Sequence, residues 1–264
     1  MTVSRAGRKR TQARLRRLRR RAQQTERCRP GSIRLDRLSV AYTDLMSFYT
    51  EYKDIFVRRI YHFEAATPRP RILDGGGCIG MSVLYFKRVY PGARVITFEP
   101  DARALTALRR NLAANHLTDI EVVPMALSDR PGAAHFQPDG SDGGRIVPAQ
   151  GGAESVGTVC LSDYLAEPAD FVKLNIEGQE LPVLREVEAR GRMPQIRELV
   201  LEYHGWADGP QSLGAVLELL ERNAFRYLVH DFDQETNPAS KPPFHLAKPK
   251  SWFCLVYGRR VQSI

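Results

Sequence analysis

Between Arg71 and Tyr257 the chain alternates short apolar runs with amphipathic stretches, a pattern that few folds accommodate. Strands are expected at residues 71–73, 94–98, 120–124, 171–176, 198–203, 225–230 and 252–257. Helices are expected at residues 82–90, on the face marked by Leu105, Leu108 and Leu112, at 181–189 and at 213–222. Strand, helix, strand repetition implies a parallel sheet covered on both faces. The last two runs differ, because the connection between them carries Pro238, Pro242, Pro243 and Pro249 and cannot hold a crossover helix. Without a crossover they pair antiparallel. The expected fold is a Rossmann-like α/β domain, with a mostly parallel seven-stranded sheet, an antiparallel C-terminal hairpin strand and helices on both faces.

The chemistry-bearing residues fall at the carboxyl ends of these strands. Asp74-Gly75-Gly76-Gly77-Cys78-Ile79-Gly80 joins the first strand to its helix, where glycines let backbone approach a ligand. Gly75, Gly77 and Gly80 form a G-x-G-x-x-G, which alone is a weak sign of a dinucleotide. Asp74 argues against one, since a carboxylate at the mouth of the turn repels a pyrophosphate. S-adenosylmethionine has no phosphate and carries an ammonium and a sulfonium, which an acid suits. Glu99 ends the second strand, followed by Pro100, where an acid accepts both hydroxyls of a ribose. The alternative for both acids is a helix-capping role. Ala126 and Asp129 close the third strand and are placed to border an adenine, although Asp129 before Pro131 also reads as a turn residue. Asn175 and Glu177 end the fourth strand beside the expected position of a transferable methyl, and Glu202 and His204 end the fifth. A histidine there can take the proton of an acceptor hydroxyl, though a lone histidine is more often structural.

At these motifs the sequence resembles the FkbM family of methyltransferases. The resemblance runs from Tyr52 to about Gly258, through Tyr52-Lys53-Asp54-Ile55-Phe56, the Asp74 to Gly80 turn, Phe98-Glu99-Pro100, Ala126-Leu127-Ser128-Asp129 and residues 172–180. It implies a class I methyltransferase fold, S-adenosylmethionine as cofactor, and O-methylation of a hydroxyl on a sugar or secondary metabolite. Two positions depart from the family. Cys78 stands where Asn is usual, and Asn175 where Asp is common, which puts a metal or an acid at that point in doubt. Neither departure removes Asp74 or Glu99, so cofactor binding is expected to survive.

Outside the alternating region, residues 1–30 hold 12 Arg or Lys against one acid, so the net charge of +9 is +11 in that tail and −2 in the remainder. Residues 1–30 read as a disordered or conditionally helical basic tail, able to engage RNA, a membrane or an acidic partner, or simply solvated. A mitochondrial-type presequence has a similar composition. Residues 31–70 read as an N-terminal helical lead segment, with Tyr42, Leu45, Phe48, Tyr49, Tyr52, Ile55, Phe56 and Ile60 at helical spacing, and 71–264 as the methyltransferase domain. Residues 138–157, rich in glycine, read as one long loop, either a lid or a surface excursion. Cys28, Cys78, Cys160 and Cys254 are too dispersed for a zinc or redox motif, and no metal is expected. No run approaches the roughly 20 apolar residues of a membrane span, and a cytoplasmic location is expected.

Three functions remain in view. The first is transfer to a small-molecule hydroxyl acceptor, with His204, Glu177 and Asn175 orienting it. The second is RNA methylation using the basic tail, which the acidic remainder disfavours. The third is a non-catalytic protein that keeps the cofactor fold.

Overall fold

The computed structural model describes residues 5–149, 152–206, 209–230 and 251–261. The chain opens with helix α1 (Arg5–Gln24), a hairpin of β1 (Gly31–Leu35) and β2 (Leu38–Tyr42), and α2 (Leu45–Glu51), which continues as a π-helix over Tyr52–Arg58. The alternation then runs β3 (Arg71–Gly75), α3 (Met81–Val89), β4 (Arg94–Phe98), α4 (Ala102–Ala114) and β5 (Ile120–Val123). Four shorter strands follow, β6 (Ala126–Leu127), β7 (Gly132–Gln137), β8 (Arg145–Val147) and β9 (Glu154–Val159). The chain then returns through β10 (Ala169–Leu174), α5 (Glu180–Ala189), β11 (Ile196–Trp206), α6 (Leu213–Arg222), β12 (Phe225–His230) and β13 (Ser251–Arg260).

The main sheet has seven strands in the order β12-β13-β11-β10-β3-β4-β5. Its β11-β10-β3-β4-β5 pairs are parallel, and β13 runs antiparallel between β11 and β12. The proline-bearing connection from β12 to β13 lies outside the described residues. Strand alternation splits the core into two layers. Ile72, Phe171, Val200 and Leu255 face one apolar cluster with α3, while their neighbours Leu73, Val172, Leu199 and Val256 face another with α5 and α6. Chain order reverses between β3 and β10, so a crevice opens at their carboxyl ends, where open α/β sheets take ligands.

Three expectations need correcting. The basic tail is helical from Arg5 to Gln24, because Leu15, Leu18 and Ala22 form a stripe that packs on the domain, with Leu18 only 5% exposed. Arg14 reaches from α1 to Asp36 and lies over the Tyr52 ring. The lead segment is helical only from Leu45. Residues 31–42 form the hairpin instead, and α4 receives it: Asn111 Oδ1 accepts from the Ala41 amide at 2.6 Å and Asn115 Oδ1 from the Ser39 amide at 3.1 Å. Residues 138–157 are not a plain loop either, since β8 and β9 join a four-stranded sheet ordered β6-β9-β7-β8. Among the described residues no helix is long and apolar enough to cross a membrane.

Candidate active site

A cavity of about 400 Å³ occupies the crevice. Its floor is the turn after β3, where Gly76 adopts φ +79 and a Cβ would lie 1.9 Å from the Asn175 carbonyl oxygen. At Gly77 a Cβ would lie 2.2 Å from Thr97 Oγ1. These two positions are glycine because neighbouring strands crowd them, rather than to admit a ligand atom at Cα. Both amides donate to the Phe98 carbonyl, at 3.0 and 2.9 Å, which ties the turn to β4. Cys78 has φ +45, a left-handed conformation that asparagine adopts at lower cost than most side chains.

Glu99, at the end of β4, accepts from the Cys78 amide at 2.6 Å and the Asp101 amide at 2.8 Å. Burial pushes its carboxyl up to about 7, against the pull of those two amides. Its position at the cavity wall is the one expected. Asp74 is different. It is wholly buried and does not line the cavity: Ser82 Oγ donates to it at 2.7 Å, Thr97 Oγ1 at 2.9 Å, and the Lys173 ammonium stands 3.2 Å away. The pairing follows from register, since Lys173 and Asp74 are partners across β10 and β3. Lys173 also donates to the carbonyls of Gly75 and Gly76, at 3.0 and 2.5 Å. Asp74 therefore anchors the floor, and its carboxylate lies beneath the cavity rather than in its wall.

Gly76, Gly77, Cys78, Glu99, Pro100 and Ala126 line the cavity, as do Asn175, Glu177 and His204. Gly75 is sealed within β3 and Gly80 caps α3 at φ +89, both away from the wall. Asp129 is exposed on another face, where Ser128 bonds it at 3.2 Å, so the turn reading holds there and the adenine reading does not.

At the far end of the cavity His204 Nε2 stands 3.3 Å from Glu177 and Nδ1 3.6 Å from Glu180. Burial lowers the imidazole's affinity for a proton, but Glu177, Glu180 and Glu202 together outweigh it and hold the ring's pKa up to about 10. A ring held protonated has no lone pair to offer, so these carboxylates disfavour the expected role as general base. Burial pushes the Glu177 carboxyl up to about 8, with the charge on His204 opposing the shift. Glu180 accepts from the amides of Ile176 and Gly178, at 3.1 and 3.0 Å, and so fixes the bend that carries Glu177 at φ +54. Tyr61 donates to Glu202 at 3.1 Å.

Two parts of the wall come from outside the strand ends, and the second lies in the stretch read as a lid or a surface excursion. Met46, Ser47, Thr50, Glu51, Asp54 and Ile55 recur at one helical face of α2 and the π-helix. Residues 141–146 also line the cavity, meeting α2 where Asp142 accepts from Ser47 Oγ at 2.8 Å and reaching β11 where the Arg145 guanidinium lies 3.9 Å from the Trp206 ring centre. Glu51, Asp54, Glu99, Asp101, Asp142, Glu177 and Glu202 face the cavity with only Arg27, Arg145, Lys173 and His204 of opposite sign. Glu51 Oε2 and Asn175 Oδ1 are buried there without a partner. An acid-rich wall with unpartnered acceptors fits a ligand that is cationic and rich in N–H and O–H donors, as S-adenosylmethionine is.

Residues 74–227 match the methyltransferase FkbM domain. The chain belongs to the FkbM methyltransferase family. Among its relatives, methyltransferase sdnD of Sordaria araneosa is 29% identical over 211 residues, covering 66% of this chain and 81% of that one. The 2-O-methyltransferase NoeI of Sinorhizobium fredii (strain NBRC 101917 / NGR234) is 28% identical over 178 residues, covering 58% and 72%. A crystal structure of methyltransferase FkbM from Methylobacillus flagellatus KT aligns at 18% identity and a TM-score of 0.48, with 81% of this chain spanning 51% of that chain. The FkbM match begins at Asp74, so α1, the hairpin, α2 and the π-helix lie upstream of it.

Proposed function

We propose that this FkbM methyltransferase moves the methyl group of S-adenosylmethionine to a hydroxyl of a small, polyhydroxylated acceptor such as a sugar or secondary metabolite. The observation that carries the reading is Glu99, held by the Cys78 amide at the glycine turn and open to the cavity, where a carboxylate accepts the two hydroxyls of a ribose. S-adenosylmethionine, when bound, supplies an electrophilic methyl on sulfur. The chain's own residues do the rest. Gly76, Gly77 and Cys78 line the nucleoside's path, and Phe98, Pro100, Ala126 and Leu127 offer apolar and backbone surface to the base. At the far end Asn175 Oδ1 accepts from an acceptor hydroxyl, and Glu202 with Tyr61 orients a second one. Glu177 takes the proton of the reacting hydroxyl, while protonated His204 holds that carboxylate in place and stabilises its charge. Enclosure by residues 141–146 excludes water and fixes the approach, which is most of what methyl transfer demands.

The relative named a 2-O-methyltransferase supports a hydroxyl as the receiving group. An RNA acceptor is disfavoured by the acid-rich wall, because its seven carboxyl groups outnumber the cations that could receive a phosphate backbone. Calorimetric titration with S-adenosylhomocysteine, and separately with NAD, tests the donor. Micromolar binding of the former is expected, weakened about 10- to 100-fold in Glu99→Ala by the loss of charged hydrogen bonds. Binding of NAD alone, or of neither, refutes the reading. Transfer of labelled methyl to polyol and glycoside pools, with a transfer RNA pool as the opposing arm, then tests the acceptor class.

A further inference from the structure

A buried amino-acid ammonium gains most from a carboxylate, and the one at the sequence position that first suggests itself, Asp74, is sealed under the cavity floor with Lys173. The carboxylates that do line the cavity are nearly all engaged. Glu99 holds two backbone amides, and Asp101 caps α4 through the amides of Arg103 and Ala104. Asp54 is paired with Arg58 at 2.9 Å, Glu177 with His204, and Glu202 with the Tyr61 hydroxyl. Asp142 takes the Ser47 hydroxyl. Glu51 alone among these lining carboxylates keeps an oxygen, Oε2, that is sealed from solvent and has no hydrogen-bond partner.

Its place in the cavity is also specific. The Cys78 amide donates to Glu99, and the Cys78 side chain lies close enough to the Glu51 carboxyl to lower its affinity for a proton. One residue of the glycine turn thus stands between the carboxylate suited to the ribose and the carboxylate of Glu51. A donor whose ribose rests on Glu99 extends its amino-acid arm past Cys78 to reach Glu51. We propose that Glu51, the last residue of α2, holds the primary ammonium of the donor's amino-acid moiety in place of Asp74. This assignment rests on S-adenosylmethionine being the donor. It adds a donor-binding residue that lies 23 positions upstream of the FkbM match, which starts at Asp74.

The electrostatics are consistent with a site that waits for a cation. Burial, reinforced by the nearby charge of Asp142, pushes the Glu51 carboxyl up to about 8. A buried carboxylate with one unpartnered oxygen is costly, and an ammonium supplies both the counter-charge and up to three N–H donors.

The test compares two nucleosides on wild type, Glu51→Gln and Glu51→Asp. S-adenosylhomocysteine carries the amino-acid arm, and methylthioadenosine has the same nucleoside thioether without it. By calorimetry, Glu51→Gln is expected to weaken S-adenosylhomocysteine at least about 10-fold while leaving methylthioadenosine within about 2-fold. Glu51→Asp, which keeps the charge on a shorter arm, is expected to fall between. Retained methylthioadenosine binding also shows that the variant is folded. Equal weakening of both ligands, or no weakening of either, overturns the assignment while leaving the donor intact. Failure of the wild type to bind either ligand overturns the donor and the assignment with it.

Discussion

Replacing Lys173 by methionine separates the two roles open to Asp74, support of the cavity floor and contact with a ligand. Lys173 is 2% exposed and Asp74 wholly buried, with ammonium and carboxylate 3.2 Å apart. The substitution leaves Asp74 with its two hydroxyl donors but no counter-charge, and strips one donor each from the carbonyls of Gly75 and Gly76. Breaking one side of a buried pair costs about 3–5 kcal/mol. For a domain of this size that is a drop in melting temperature of about 6–20 °C. Asp74→Asn strands the lysine instead and is expected to cost a similar amount. The double variant Asp74→Asn, Lys173→Met removes both charges and should recover most of the loss, so a urea-denaturation cycle should show a coupling of at least about 2 kcal/mol. It should also bind S-adenosylhomocysteine within about 5-fold of wild type, because Asp74 is sealed from the cavity and Lys173, although it reaches the wall, is engaged by Asp74 and two backbone carbonyls. Additive destabilisation refutes the buried-pair account. A folded double variant that no longer binds the nucleoside would show that one of the two charges does reach the ligand.

Three further outcomes follow from the same geometry. Gly76→Ala, whose Cβ would meet the Asn175 carbonyl at 1.9 Å, should lose more than about 2 kcal/mol, whereas Gly214→Ala in α6, with nothing within 4 Å, should be neutral or gain up to about 1 kcal/mol by denaturant titration. The rate of methyl transfer should rise with pH through about 8, as Glu177 loses the proton that burial keeps on it. Below that value the carboxyl is neutral and cannot accept the hydroxyl proton, so a rate that is flat from pH 6 to 9 refutes Glu177 as the acceptor. Leu18→Ala in α1 should lower stability by about 2–4 kcal/mol, and an unchanged denaturation midpoint would show that α1 does not dock on the domain.

The α/β alternation was legible because buried parallel strands need apolar runs of a fixed length. Residues 94–98, 213–222 and 225–230 have the expected bounds, and the β12–β13 pair is antiparallel, as the prolines in the sequence between them implied. Position at strand ends also placed Glu99, Asn175, Glu177 and His204 around one cavity. Misreadings arose where side-chain partners come from distant strands. Lys173 is one apolar-run residue among several until register puts it opposite Asp74. His204 looked like a lone imidazole, and only folding surrounds it with three carboxylates. The stripe Leu15, Leu18, Ala22 is masked by arginines, whose composition argues for solvation. The hairpin at 31–42 was hidden because Tyr42, Leu45, Phe48 and Tyr49 continue the helical spacing back across its end. No local signal marks Glu51 as wall, although helical spacing from Met46 to Ile55 could have shown that these residues share a face, whereas residues 141–146 fall in the glycine-rich stretch for which a lid was one of the two readings.

The upstream wall gives the molecule interchangeable parts. The strand ends of the FkbM match carry the acid suited to a nucleoside, while Met46 to Tyr61 arrive from a separate stretch of chain and press on the cavity from outside that unit. The stretch is also packed on the main sheet, since Ile55 and Ile60 share a cluster with Ile72, Phe171, Val200 and Leu255 and the Tyr257 hydroxyl donates to the Ile60 carbonyl at 2.9 Å. Selection, or a protein engineer, can thus tune the chamber at positions such as Thr50, which lines the cavity outside that cluster, while the strand ends stay as they are.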